Sequence, residues 1–114
     1  MGANKDFHSV YTDMSLTGKH LAVLGHYGGD KQVEKAKEEL KELLEVLEFK
    51  KDFNKADYRQ FLLEEGADVM NMLFQLYIDA CIDWYDVIAM MHEKMNRTLK
   101  RIADDNGGVL ETKI

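Results

Sequence analysis

The chain has 114 residues, of which 46% are hydrophobic and 32% charged, and it carries a net charge of −6. That length accommodates one hydrophobic core, so a single domain over 1–114 is expected, and the composition excludes a disordered chain. The acidic balance argues against a nucleic-acid partner, which needs concentrated Lys and Arg.

Proline is absent, which removes the commonest helix breaker and favours long helices. The first 13 residues are polar and lack the basic flank and apolar run of a secretory signal. No apolar run approaches the roughly 18 residues that span a bilayer, so no membrane association and a cytoplasmic location are expected. From Ser15, the spacing of Leu16, Leu21 and Leu24 predicts a short first helix. Gly25, Gly28 and Gly29 then predict a turn, with Asp30 as N-cap of the next helix.

The second helix is predicted over residues 31–49, where Val33, Ala36, Leu40, Leu43, Leu44 and Leu47 recur at i, i+3, i+4 and i+7. A polar connection follows over 50–56. Asp57, with Gln60 three residues on, predicts a capping box for a third helix over 58–79, whose core side is Phe61, Leu62, Val69, Met72, Leu73 and Leu76. Asp83 with Asp86 marks the start of a fourth helix running to 103. Trp84, Val87, Ile88, Met91, Met95 and Ile102 make its apolar face. Residues 104–114, with Gly107 and Gly108, read as a tail.

The expected fold is therefore all-α: a bundle of three main helices plus a short N-terminal one, with its core over about 15–103. So small a helical core is expected to be completed by oligomerisation, as a homodimer or homotetramer. Cys81 is the only cysteine; it cannot form an internal disulfide and is expected to act as a small buried hydrophobe.

Two carboxylates stand where apolar side chains belong. At about 100° per residue, Glu65 falls within the stripe of Phe61, Leu62, Val69, Met72 and Leu76, and Asp68 lies about 60° away at its edge. Ionised carboxylates on an apolar face are costly unless paired or bound to a cation, and Mg²⁺ takes such oxygen ligands. Glu39, beside Leu40 and Leu43, forms a matching pair with Glu42 at i+3 on the second helix. Antiparallel packing of the two helices would bring all four carboxylates together, a common way to build a metal site in a bundle. Taken alone, the Glu- and Lys-rich run around Glu39 and Glu42 also reads as an ordinary solvated face. A ferritin-like site would need Glu-x-x-His, and Ala89 stands three before His92. His8, His20, His26 and His92 are scattered without ligand spacing, and no phosphate-binding GKS or GKT loop is present.

The stretch HYGGDKQVEKAKEELKELLEVL resembles the first catalytic helix of the MazG-like, all-α nucleoside triphosphate pyrophosphohydrolases, especially the short phage-type branch. That family pairs E-E-x-x-E with a later E-x-x-D. Here Glu38-Glu39-x-x-Glu42 and Glu65-x-x-Asp68 supply the two parts, over a likeness covering roughly residues 25–102. Gly66 departs from the family's helix-favouring apolar residue and suggests close helix approach or local flexibility. The resemblance implies Mg²⁺-dependent hydrolysis of NTP or dNTP to monophosphate and pyrophosphate. It also implies Glu39, Glu42, Glu65 and Asp68 as metal ligands and Glu38 as the group that orients or deprotonates water. Lys94, Arg97 and Arg101 resemble basic positions that contact phosphate, and Asn71 is a candidate for base or sugar contact. Two alternatives stay open: a phosphoribosyl-ATP pyrophosphohydrolase-like enzyme, and a non-catalytic helical oligomeric adaptor.

Overall fold

The computed structural model describes residues 13–108; the expected polar N-terminal stretch up to residue 12, with His8, and the tail beyond residue 108 lie outside them. The described residues are all-α with no strand. They fall into two compact units divided between Cys81 and Ile82.

The first unit holds three helices. Helix α1, Leu16–Tyr27, starts where the Ser15 hydroxyl accepts a hydrogen bond from the Gly18 N–H at 3.0 Å. It ends at Gly28, whose φ of 86° is a conformation that L side chains resist. Helix α2, Gly29–Glu48, begins immediately afterwards. Asp30 is therefore not a cap; it sits inside the first turn, where its charge still complements the positive helix end. A Cβ at Gly29 would meet only the carboxylate of the exposed Asp79 side chain, which can turn aside, so the close approach there is a side-chain contact and not a backbone one.

A short 3₁₀ turn, Lys50–Asp52, leads to α3, Lys55–Asp79. The Asn54 side chain caps α3 by accepting from the Asp57 N–H at 2.8 Å. The expected cap at Asp57 is corrected accordingly: Asn54 satisfies the orphan donor first, so the helix gains its opening turn before Asp57. Pairings run in opposite directions along the two long helices, Gln32 with Gln75 near one end and Glu39 with Asp68 further along. They form an antiparallel hairpin, and α1 lies mainly against α3.

The seam of this hairpin is not centred on the apolar stripe of α2. Ala36 and Val46 are buried, but so are Gln32 and Glu39. Leu40, Leu44 and Leu47 remain 49%, 52% and 48% exposed. On a helical wheel the buried positions are centred roughly 90° from these leucines. The expected apolar stripe thus turns only one edge toward α3. From α3, Val69, Met72 and the polar Gln75 enter the seam.

Cys81 is exposed rather than buried. It follows the C-cap Ala80 in a left-handed conformation, φ 57°, with its N–H bonded to the Ile78 carbonyl, and this turn takes the thiol off the packed face of α3.

The second unit contains α4, Trp84–Asp105. Asp83 caps it as expected, its carboxylate accepting from the Tyr85 N–H at 3.0 Å. Met91, Met95 and Ile102 of its apolar face are exposed.

Candidate metal centre

The antiparallel register brings the i, i+3 pair of α2 opposite the i, i+3 pair of α3. Glu39, Glu42, Glu65 and Asp68 each offer one oxygen, and these oxygens lie within 4.8 Å of one another. Across a single octahedral Mg²⁺ the most distant ligands are about 4.2 Å apart, so the observed spread is close to what one ion would need.

The surroundings of the four differ. Glu39 is 7% exposed, and Lys35 Nζ reaches its Oε1 at 3.0 Å from one turn earlier. Its other oxygen, Oε2, is sealed from solvent without a hydrogen-bond partner, as is Oε2 of Glu65. Two orphaned carboxylate oxygens in one cluster are expensive for a protein alone. They could serve as ligands for a hard divalent cation, whose charge would remove both the repulsion and the unmet acceptors. Glu42 and Asp68 are exposed and complete the set from the solvent side. Glu42 reports the crowding. Hydrogen bonding to Glu39, then the Glu39 charge, desolvation, and the same two effects from Glu65 raise its carboxyl above the ordinary glutamate value.

Two hollows open on either side of the cluster. The larger, of about 880 Å³, is lined by Glu38, Glu39 and Asp68 together with Lys19, Lys31 and Lys35, and by His20, Asn71, Gln32 and Gln75. The smaller, of about 240 Å³, meets Glu42 and Glu65 and is otherwise lined by Glu45, Val46, Phe49, Phe53 and Phe61. The larger has the size of a small-molecule site.

Of the sequence-derived candidates, the structure brings together Glu39, Glu42, Glu65 and Asp68, and it puts Glu38 and Asn71 on the adjoining cavity. Glu38 is exposed, with Lys35 Nζ 3.7 Å from its carboxylate. Lys94, Arg97 and Arg101 lie on α4 in the second unit, where Arg97 pairs with Glu93 at 3.1 Å. Within the first unit the cavity is lined by Lys19, Lys31 and Lys35, which sequence reasoning missed. His20, Gln32 and Gln75 were missed as well. The signal was there: Gln75 follows Met72 by three and His20 follows Leu16 by four, so each is a polar residue on an apolar face, as Glu65 is. Gly66 has nothing within 4 Å of where a Cβ would stand, so close helix approach does not explain it.

Comparison with protein-family models, with characterised proteins and with solved structures finds no match.

Proposed function

We propose that this chain is a Mg²⁺-dependent nucleotide pyrophosphohydrolase of the MazG-like kind, cleaving an NTP or dNTP to monophosphate and pyrophosphate. The observation that carries the proposal is the convergence of Glu39, Glu42, Glu65 and Asp68 within 4.8 Å, with Glu39 Oε2 and Glu65 Oε2 sealed and unpartnered. The donor set is all carboxylate, which suits Mg²⁺ rather than a softer transition metal.

When bound at these four carboxylates, Mg²⁺ supplies charge neutralisation for the phosphates and a lowered pKa for an attacking water. The chain's own residues do the rest. Glu38, exposed on the cavity wall beside Glu39, orients the water and takes its proton as oxygen attacks phosphorus. The bond between the α- and β-phosphates breaks, and the leaving oxygen departs as part of pyrophosphate. Lys19, Lys31 and Lys35 provide the positive wall that holds a polyphosphate over an acidic cluster.

The exposed leucines of α2 support a second element of the proposal, a homo-oligomer in which Leu40, Leu44 and Leu47 are covered by another copy. No helix among the described residues is long and apolar enough to cross a membrane.

The deciding experiment measures pyrophosphate release from a panel of nucleoside triphosphates with Mg²⁺ and with EDTA. Metal-dependent release that disappears in Glu65→Gln is the expected result. Absence of release from every nucleotide, by folded protein that binds Mg²⁺, overturns the proposal and leaves a phosphoribosyl-nucleotide substrate or a non-catalytic adaptor.

A further inference from the structure

The larger cavity contains polar groups that neither the carboxylates nor the chemistry above employs. Gln32 and Gln75 are 5% and 4% exposed, and the Gln32 Nε2 donates to the Gln75 Oε1 at 2.5 Å. Both line the cavity. An amide pair joined by one hydrogen bond leaves one carbonyl oxygen and one NH₂ group over, whichever way the two amides are turned. Neither leftover is among the sealed, unpartnered atoms of the described residues, and the cavity is the opening that both residues line. The pair therefore presents an acceptor beside a donor, fixed in a buried setting. A second pair stands next to it. His20, 4% exposed, shares a 3.0 Å hydrogen bond with Asn71 Oδ1 and stacks on Phe74 with ring centres 5.2 Å apart. That leaves the Asn71 NH₂ as a further donor on the same wall.

The position of these amides is as informative as their chemistry. Gln32 lies seven residues before Glu39 on α2, and Gln75 seven residues after Asp68 on α3, so the amide pair sits about 10 Å along the helix axes from the carboxylates. A nucleotide bridges that span between its phosphates and the hydrogen-bonding edge of its base. A site that buries polar groups for a matching edge rejects ligands that leave those groups unpaired.

We propose that the Gln32–Gln75 amide pair reads the base of the nucleotide, accepting a base that offers an adjacent donor and acceptor and making the site selective for nucleotides over base-free polyphosphates. The inference rests on the nucleotide reading of the carboxylate site.

The test compares wild type with Gln32→Leu, Gln75→Leu and Gln32→Glu. Pyrophosphate release is measured from triphosphates of the five common bases and from ribose 5′-triphosphate, which has no base. Wild type is expected to rank the bases by how closely the position and order of their adjacent donor and acceptor fit the fixed pair, and to use ribose 5′-triphosphate poorly. Each leucine variant narrows the spread in kcat/KM between best and worst base by about tenfold, the scale of one lost hydrogen bond, through KM. The loss is expected to be larger for base-bearing triphosphates than for ribose 5′-triphosphate. Gln32→Glu forces Gln75 to turn its NH₂ toward the new carboxylate, so the edge becomes two acceptors. Preference then moves toward a base with adjacent N–H groups, as guanine has at N1 and N2, a change that mere loss of stability does not produce. An unchanged order and spread of bases in all three folded variants overturns the inference while leaving pyrophosphohydrolase activity standing. If wild type releases pyrophosphate from nothing, the nucleotide reading fails separately, and nucleoside monophosphates are titrated in EDTA against the side-chain amide NMR signals of Gln32 and Gln75. Base-dependent shifts uphold base reading, and no shift with any base overturns it.

Discussion

Lys35 satisfies only half of Glu39: its Nζ is 3.0 Å from Oε1, while Oε2 is sealed and unpartnered. One cation therefore already stands beside a cluster suited to another, held from the exposed side of α2. The Glu39 hydrogen bond and charge in turn raise the Lys35 ammonium above its ordinary value, so it remains charged. Replacing it with methionine removes a competing positive charge. Lys35→Met is expected to tighten Mg²⁺ binding by the protein alone and to raise KM for a triphosphate several-fold, checked by calorimetric titration beside steady-state kinetics. Weaker Mg²⁺ binding in this variant would contradict the arrangement.

Glu65→Gln and Asp68→Asn retain shape while removing charge from the cluster. Outer partners of metal ligands typically cost 10–100-fold. Loss of a ligand is expected to reduce metal-dependent release by more than about 100-fold. Without metal, both variants should melt at or above the wild-type temperature, because like charges have been thinned. Wild type should gain several degrees on addition of Mg²⁺ by mass action, and the variants little. Thermal scans with and without Mg²⁺ decide the matter.

The raised Glu42 carboxyl has a definite consequence for pH. An acid that holds its proton more tightly folded than unfolded contributes stability that is fully present below its unfolded value. That contribution declines as pH rises from the ordinary glutamate value of 4.5 through the elevated folded one. Metal-free protein is expected to lose stability across this window, and Glu42→Gln to flatten the decline. Urea midpoints measured at successive pH values test the sign, and a Glu42-dependent rise in stability with pH would reverse it.

Three glycines separate backbone demands from site demands. Gly28, at φ 86° and ψ 158°, should cost about 1–3 kcal/mol when changed to alanine. Gly25 and Gly66 lie inside helices with open space around a prospective Cβ. Alanine at either should stabilise by up to about 1 kcal/mol. Gly66→Ala, between Glu65 and Asp68, is expected to leave Mg²⁺ affinity unchanged; chemical denaturation and metal titration measure both.

Leu40→Lys combined with Leu44→Lys places two charges on the uncovered face of α2 without touching the seam. If a second copy covers that face, the double variant should run as a smaller species in light scattering while keeping its helical signal. Equal mass for wild type and variant would remove this face from any self-association.

The all-α class, four helices and one of the caps, Asp83, were legible in the sequence, since capping and 3.6-residue periodicity act over a few neighbours. The anomaly of Glu65 was legible for the same reason: one carboxylate among Phe61, Val69 and Met72 violates a local pattern. Its convergence with Glu39 depended on antiparallel register, which the sequence left as a condition and only packing of α2 on α3 established. The tertiary structure alone decided that the seam runs past Glu39, Gln32 and Gln75 instead of along Leu40, Leu44 and Leu47. Periodicity identifies an apolar stripe but not which edge of it a partner helix meets. Here buried polar groups that pair across the hairpin, together with the small Ala36, turn that edge toward the acidic side and leave the leucines outside.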